Sequence, residues 1–274
     1  ANHALEQLLR TPSGGGPAVR LLLDGADEAG GDLRPLLSEI RSLERTGGVQ
    51  IITAARQMAA ELGLPERPIP PLTEGEVGTY LEKHGLPRPE RPELLGLLRT
   101  PIFLAMYHDI CQHTGTVPEA ADKNGLLDAY LGTLVSSYRE TFGADAGFQA
   151  ELAVYVLLPL LSARMNGRPK LSPDSAFRCV SESFSLLRRR CFFKVFPRYM
   201  GRGRILRGGA ADAEAWFGLM VREILERQLS LLWQDDQGNY HLFHQYFQSQ
   251  LAQQWRRSGR LLMRSRAQSC LPAV

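Results

Sequence analysis

Asp24, Asp27 and Glu28 follow directly on the apolar run Leu21-Leu22-Leu23. A run of this kind that ends abruptly in carboxylates reads as a buried parallel strand delivering acids to its C-terminal end. Open α/β sheets bind ligands at that edge. One carboxylate there can hold a magnesium ion on a nucleotide, and a second can polarise the attacking water. An ordinary strand followed by an Asp-rich turn has the same composition, so the acids gain meaning only from what stands beside them.

The next residues supply a neighbour. Leu33, Leu36, Leu37, Ile40 and Leu43 fall on one apolar stripe of a helix, which Gly47-Gly48 stops. Val49-Gln50-Ile51-Ile52-Thr53 is a second β-rich run and leads into Ala54-Ala55-Arg56. Strand, amphipathic helix and strand make a βαβ unit, so the two strands are expected to be parallel with a right-handed crossover. Asp24, Asp27, Glu28 and Arg56 would then emerge at one edge of one sheet.

With 274 residues, 44% hydrophobic and 22% charged, the chain reads as globular, with two or three small domains. A net charge of +3 gives no global field directed at nucleic acid or membrane. Cys111, Cys179, Cys191 and Cys270 are scattered, with no C-x-x-C pair. That pattern favours reduced thiols in a cytoplasmic protein over a disulfide frame or a zinc site. No signal peptide is visible, and the apolar stretch from Glu151 to Ala163 reads as a core helix, not a membrane span. The first residues, with Ala4, Leu5, Leu8 and Leu9 at helical spacing, read as mid-helix, as if the beginning of the protein lay upstream.

From Leu72 onward the period is helical, with breaks at Pro87, Pro89, Pro92 and Pro101. Thr73-Glu74-Gly75-Glu76 ahead of Val77, Tyr80 and Leu81 is a capping-box signature. One helix is expected from about Leu126, carrying Leu127, Tyr130, Leu131 and Leu134, and another from Phe148 to Ala163. Residues 166–210 are basic and aromatic, with few clear periods. A helix from Ala213 through Leu219, Ile224 and Leu225 precedes two short strands, Leu231–Trp233 and Tyr240–Phe243. An Asp/Gly turn separates them and a helix comes after, the order in which a winged-helix module ends.

Five of these segments together resemble the later part of a NACHT-type signalling NTPase, of the STAND class of P-loop ATPases. Leu21-Leu22-Leu23-Asp24-Gly25-Ala26-Asp27-Glu28 is similar to the Walker B pattern, and Ile51-Ile52-Thr53-Ala54-Ala55-Arg56 to the sensor 1 strand. Ile69-Pro70-Pro71-Leu72-Thr73-Glu74 resembles the link into the first helical domain, and Leu98-Arg99-Thr100-Pro101-Ile102-Phe103-Leu104 the Thr-Pro helix start. Leu242-Phe243-His244-Gln245-Tyr246-Phe247-Gln248 resembles the histidine motif of the winged helix.

The resemblance implies an α/β region followed by mostly α structure: a truncated P-loop parallel-sheet core over residues 1–70, a helical domain over 71–145, a winged-helix domain over 146–258 and a basic tail over 259–274. It implies ATP or ADP with magnesium as ligands, Asp24 as the metal ligand, and Asp27 and Glu28 as the acids that orient water. Arg56 would sense the γ-phosphate, Pro101 would pack near the adenine, and His244 would reach the β-phosphate and hold a closed, ADP-bound form. Exchange to ATP would open the winged helix and permit homo-oligomerisation, with slow hydrolysis, in signalling of the kind that serves defence. Each residue also has an ordinary reading. Arg56 suits a solvated strand end, Pro101 the first turn of any helix, and His244 a satisfied histidine among aromatics.

Departures are present too. No G-x-x-x-x-G-K-[ST] occurs, and Gly14-Gly15-Gly16 precedes a strand and lacks the lysine and hydroxyl, so it cannot cradle phosphates. The expectation is a phosphate loop upstream of Ala1, and little nucleotide binding by these residues alone. Ala54-Ala55 stand where Thr-Ser is usual, Gln57 where proline is common, and Ser249 where Glu often stands.

A competing expectation is a non-enzymatic nucleic-acid module. Arg188-Arg189-Arg190, Lys194, Arg198, Arg202, Arg204 and Arg207 interleave with Phe192, Phe193, Phe196 and Tyr199, a mixture that can grip phosphates and stack on bases. A solvated face with a loop explains the same residues more simply. An AAA-type ATPase would show a second arginine sensor in the helical lid, and none stands out.

Overall fold

A computed structural model of the chain describes residues 19–23, 38, 42, 49–53, 69–165, 167–187 and 213–256. The chain divides into two compact units, Ala1–Pro70 and Pro71–Val274.

The described part of the first unit centres on two strands, β1 (Val19–Leu23) and β2 (Val49–Thr53). Both are rich in Leu, Val and Ile, side chains that suit a pleated, packed surface. They pair in parallel, from Val19 opposite Val49 to Leu23 opposite Thr53. The C-terminal ends of the two strands therefore lie side by side. Leu22 and Ile52, partners in that register, are both exposed.

The second unit is mostly helical. Helix α1 (Glu74–Lys83) opens with a full capping box: the Glu76 backbone N–H donates to Thr73 Oγ1 at 3.2 Å, and the Thr73 backbone N–H donates to Glu76 Oε2 at 2.7 Å. Helices α2 (Pro92–Leu98) and α3 (Pro101–Thr114) each begin on a proline, where the missing N–H costs nothing, and they meet at 115°. Tyr107 in α3 donates its hydroxyl to the Pro87 carbonyl at 2.6 Å, anchoring the proline-rich loop ahead of α2.

Helix α4 (Lys123–Phe142) begins at the N-cap Asp122, whose Oδ1 accepts the Gly125 N–H at 2.8 Å. It ends at Gly143, in a positive-φ conformation (90°) that favours glycine. Beyond it runs one unbroken helical stretch: α5 (Ala144–Leu152), a π-helical turn (Ala153–Leu157) and α6 (Leu158–Met165). The sequence places only Phe148 to Ala163 in this helix. The extra turns make it 22 residues long, with an 18-residue stretch of mean hydropathy 1.5, long and apolar enough to span a bilayer, but 72% of that stretch is buried inside the protein.

Helix α7 (Pro173–Leu187) comes after Leu171, and the chain is described again from α8 (Ala213–Phe217). That helix continues as a π-helix, Gly218–Gln228, into the hairpin of β3 (Leu232–Gln234) and β4 (Tyr240–Leu242). Leu171 pairs antiparallel with Tyr240 on the other side of β4, through Leu171 N–H to Tyr240 O at 2.9 Å and the reciprocal bond at 2.8 Å. The lateral order is thus Leu171, β4, β3. A short 3₁₀ turn (Gln245–Phe247) then leads into helix α9, residues 248–256.

One apolar core runs from Val77 in α1 to Leu251 in α9, and it passes without a break across the expected domain boundary at residue 145. Trp216, Tyr107, Tyr240, Phe148 and Phe247 are its largest fully buried side chains. Burying a side chain of this class contributes about 1.5–3 kcal/mol, enough for a handful of them to fix how these helices sit together.

Candidate functional site

Asp24, Asp27, Glu28 and Arg56 lie outside the described residues, as does the basic stretch from Arg188 to Arg207. The segments ahead of the acids and the arginine are described. β1 ends at Leu23, directly before Asp24, and β2 ends at Thr53, three residues ahead of Arg56. Leu23 and Thr53 are partners in the parallel register. A parallel pair of this kind presents both C-terminal ends at one edge, where strand-end acids can meet a ligand. Among the described residues, no group of three or more His, Cys, Asp and Glu side chains is placed to hold a metal ion.

Pro101 and His244 are both in the second unit, and the residues around them are brought together. The first connection runs from the linker to the Pro101 helix. The Leu72 N–H donates to the Arg99 carbonyl, and Arg99 Nε donates back to the Leu72 carbonyl, both at 2.8 Å. This reciprocal pair fixes the entry of α1 to the turn that launches α3. Thr100, the N-cap of α3, makes no side-chain cap bond, but its carbonyl accepts the Phe103 and Leu104 N–H groups at 3.0 and 3.1 Å. Pro101 is exposed on that first turn, and Phe103 points the other way, only 3% exposed.

Phe103 then meets the segment that carries His244. Its ring packs edge-on against Tyr246, with centroids 5.7 Å apart, and against Phe247 at 6.1 Å. Phe247 also stacks on Phe243 at 5.6 Å and lies 5.7 Å from the His244 ring. Tyr130 of α4 approaches Phe243 at 6.3 Å. The Nζ of Lys123, the first residue of α4, stands 4.9 Å from the Tyr246 ring centroid and 5.9 Å from that of Phe103. Both distances are within cation–π reach. The Thr-Pro helix start and the histidine motif thus share one aromatic junction.

The sequence places His244 within an amphipathic helix; in the structure it precedes the 3₁₀ turn instead. The reason is local. The Tyr246 backbone N–H donates to His244 Nδ1 at 3.2 Å, and the Phe247 N–H donates to the His244 carbonyl at 3.2 Å. Side-chain-to-backbone bonding of this kind competes with helical bonding and favours a turn. It also has a chemical consequence. A neutral imidazole that accepts at Nδ1 carries its proton on Nε2, so Nε2 is a donor of the kind a phosphate oxygen would accept.

Arg99, Lys123 and Tyr246 are functional candidates that sequence reasoning missed. Arg99 had a signal, because it precedes Thr100-Pro101 inside the motif itself. Lys123 had none, since a single lysine at a helix start reads as solvated.

The β3–β4 hairpin has its own electrostatic centre. Asp235 Oδ1 accepts the backbone N–H groups of Gln237 at 3.0 Å and Asn239 at 2.8 Å, and Asp235 Oδ2 accepts the Asn239 amide at 2.9 Å. His241 Nε2 lies 3.1 Å from Oδ2, and its ring stacks on Trp233 at 4.1 Å. The Asn239 side chain first, then His241 and the two backbone donors, hold the Asp235 carboxyl well below the usual aspartate range.

Compared with models of known protein families, with curated proteins and with solved structures, the chain matches none.

Proposed function

We propose that these residues belong to a nucleotide-operated switch of the NACHT type, acting in the cytoplasm and assembling into homo-oligomers on exchange of ADP for ATP. The observation that carries the reading is the parallel pairing of β1 with β2, Leu23 opposite Thr53, which directs the chain into Asp24 and towards Arg56 from adjacent strand ends. Carboxylate oxygens are the hard donors magnesium prefers, so the acid set suits Mg-ATP by its chemistry. Asp24 would ligate the ion, Asp27 and Glu28 would orient water, and the Arg56 guanidinium would grip the γ-phosphate through its planar fork.

The second unit would read the nucleotide state. Pro101 would pack on the adenine and His244 would donate Nε2–H to the β-phosphate. The shared junction of Phe103, Tyr246 and Phe247 supports that pairing of roles. The lateral order of Leu171, β4 and β3 beside helices supports reading the C-terminal region as a winged helix. A switch of this sort works when nucleotide changes the closed–open balance by a few kcal/mol.

The test uses the full-length polypeptide that contains these residues. It should bind Mg-ATP and ADP in calorimetry, and Asp24→Ala or Glu28→Ala should each cut ATP turnover by at least about tenfold, or ~1.4 kcal/mol. Equal turnover in wild type and both variants overturns the reading.

A further inference from the structure

We propose that Lys123 is a positioning residue that holds the His244 segment against the Pro101 helix, acting through Tyr246. The consequence for nucleotide rests on the switch reading above; the contact itself does not.

Three elements meet at this lysine. Its backbone is pinned at the first turn of α4, where Asp122 Oδ1 accepts the Gly125 N–H at 2.8 Å. Its Nζ faces Tyr246 at 4.9 Å and Phe103 at 5.9 Å, and those rings touch each other edge-on at 5.7 Å. One ammonium therefore serves two aromatic faces, one from α3 and one from the His244 segment.

Helix α4 makes two further contacts with the C-terminal segment. Tyr130, two turns further along, meets Phe243 at 6.3 Å, and Asp128 Oδ1 accepts the Gln254 side-chain N–H at 3.3 Å. Tyr246 is 42% exposed, so burial alone does not hold its ring, and a cation on its face supplies what burial lacks. The ring lies edge-on to the His244 imidazole at 6.3 Å between centroids, and the Tyr246 backbone N–H donates to His244 Nδ1. Releasing the Tyr246 ring loosens the turn in which both contacts orient the imidazole.

The test is hydrogen exchange on the full-length protein for wild type, Lys123→Ala, Lys123→Arg, Tyr246→Leu and the double variant Lys123→Ala/Tyr246→Leu. Peptides covering 243–256 should exchange about two- to fivefold faster in Lys123→Ala, the size expected of an exposed cation–π contact. Lys123→Arg should restore the wild-type rate, the double variant should exchange no faster than Tyr246→Leu alone, and peptides covering 144–165 should stay unchanged in all. ADP release should quicken by the same factor. Unchanged exchange in Lys123→Ala, strictly additive effects in the double variant, or an increase spread over the whole protein overturns the proposal. Faster local exchange in a protein that binds no nucleotide upholds the contact and overturns the switch reading instead.

Discussion

Phe103 and Tyr246 meet ring edge to ring face, 5.7 Å between centroids, although one opens a helix early in the second unit and the other lies beyond its last strand. Phe103 is 3% exposed and also touches Phe247, which is fully buried, so it joins the α3 turn to the C-terminal segment. Phe103→Ala leaves a cavity at that junction and should cost about 3–5 kcal/mol, read as a lower urea midpoint. Phe103→Leu fills more of the space and should cost clearly less. A loss under ~1 kcal/mol for the alanine variant would mean that the junction does not hold the segment.

The hairpin turn makes a pH-dependent contribution. The Asp235 carboxylate accepts bonds from Asn239, His241 and Gln237, which lower its pKa from the ordinary 3.8. A depressed acid stabilises the fold above its unfolded pKa, and that contribution disappears as pH falls through the lower folded value. The window is thus below about pH 4. Thermal melts of wild type and Asp235→Asn should differ at pH 5 and converge below pH 4. A gap that persists unchanged down to pH 2 would show that the carboxylate charge is not what matters.

The range of each interaction decides whether the sequence reveals it. The Thr73–Glu76 capping box was legible because both partners lie within one helical turn and only certain residue types can fill it. β1 and β2 were legible as short β-branched or leucine runs bounded by breaks. The Leu72–Arg99 and Phe103–Tyr246 contacts depend on how helices pack, which no local pattern encodes. The π-helical turn Ala153–Leu157 was equally hidden: four of its five residues are buried, so the apolar pattern there has no polar face from which to read a period. His244 was misplaced because Phe243, Tyr246 and Phe247 mimic an amphipathic helix, while the Nδ1 bond to the Tyr246 N–H sets a turn. For the strand-end acids and Arg56, the sequence shows residue type and spacing, and β1 and β2 show where the chain comes from.

Close packing at the α4–α5 corner makes Gly147 a sensitive position. A Cβ there would lie 2.5 Å from Arg139 Cβ, which cannot move without the backbone, and 2.6 Å from its Cγ. Arg139 is also ion-paired with Glu151 across the corner. Gly147→Ala should therefore destabilise by about 1–3 kcal/mol through overpacking, despite the better helix propensity of alanine. Glu151→Ala, which removes only a partly exposed ion pair, should cost no more than ~1 kcal/mol. Denaturant midpoints of the two variants check the order, and a neutral Gly147→Ala would mean that the helices separate more easily than this packing implies.

Ser230 occupies a position whose backbone suits glycine. It lies between the π-helix and β3 at φ 51°, where a side chain crowds the following carbonyl. The turn is required, because the Leu229 N–H donates to the Ile224 carbonyl at 2.9 Å and the Leu231 N–H to the Leu225 carbonyl at 2.8 Å, together closing the end of the helix. The second of these bonds closes over Ser230 and needs its left-handed backbone. Ser230→Gly should relieve about 1–2 kcal/mol of crowding and give back roughly half through the greater freedom of glycine in the unfolded chain, a net gain of about 0.5–1 kcal/mol. Ser230→Val places a β-branched side chain in the same conformation and should lose at least as much. Thermal melts should therefore move in opposite directions for the two variants, and a shift of both in the same direction would mean that the left-handed backbone is not what limits this turn.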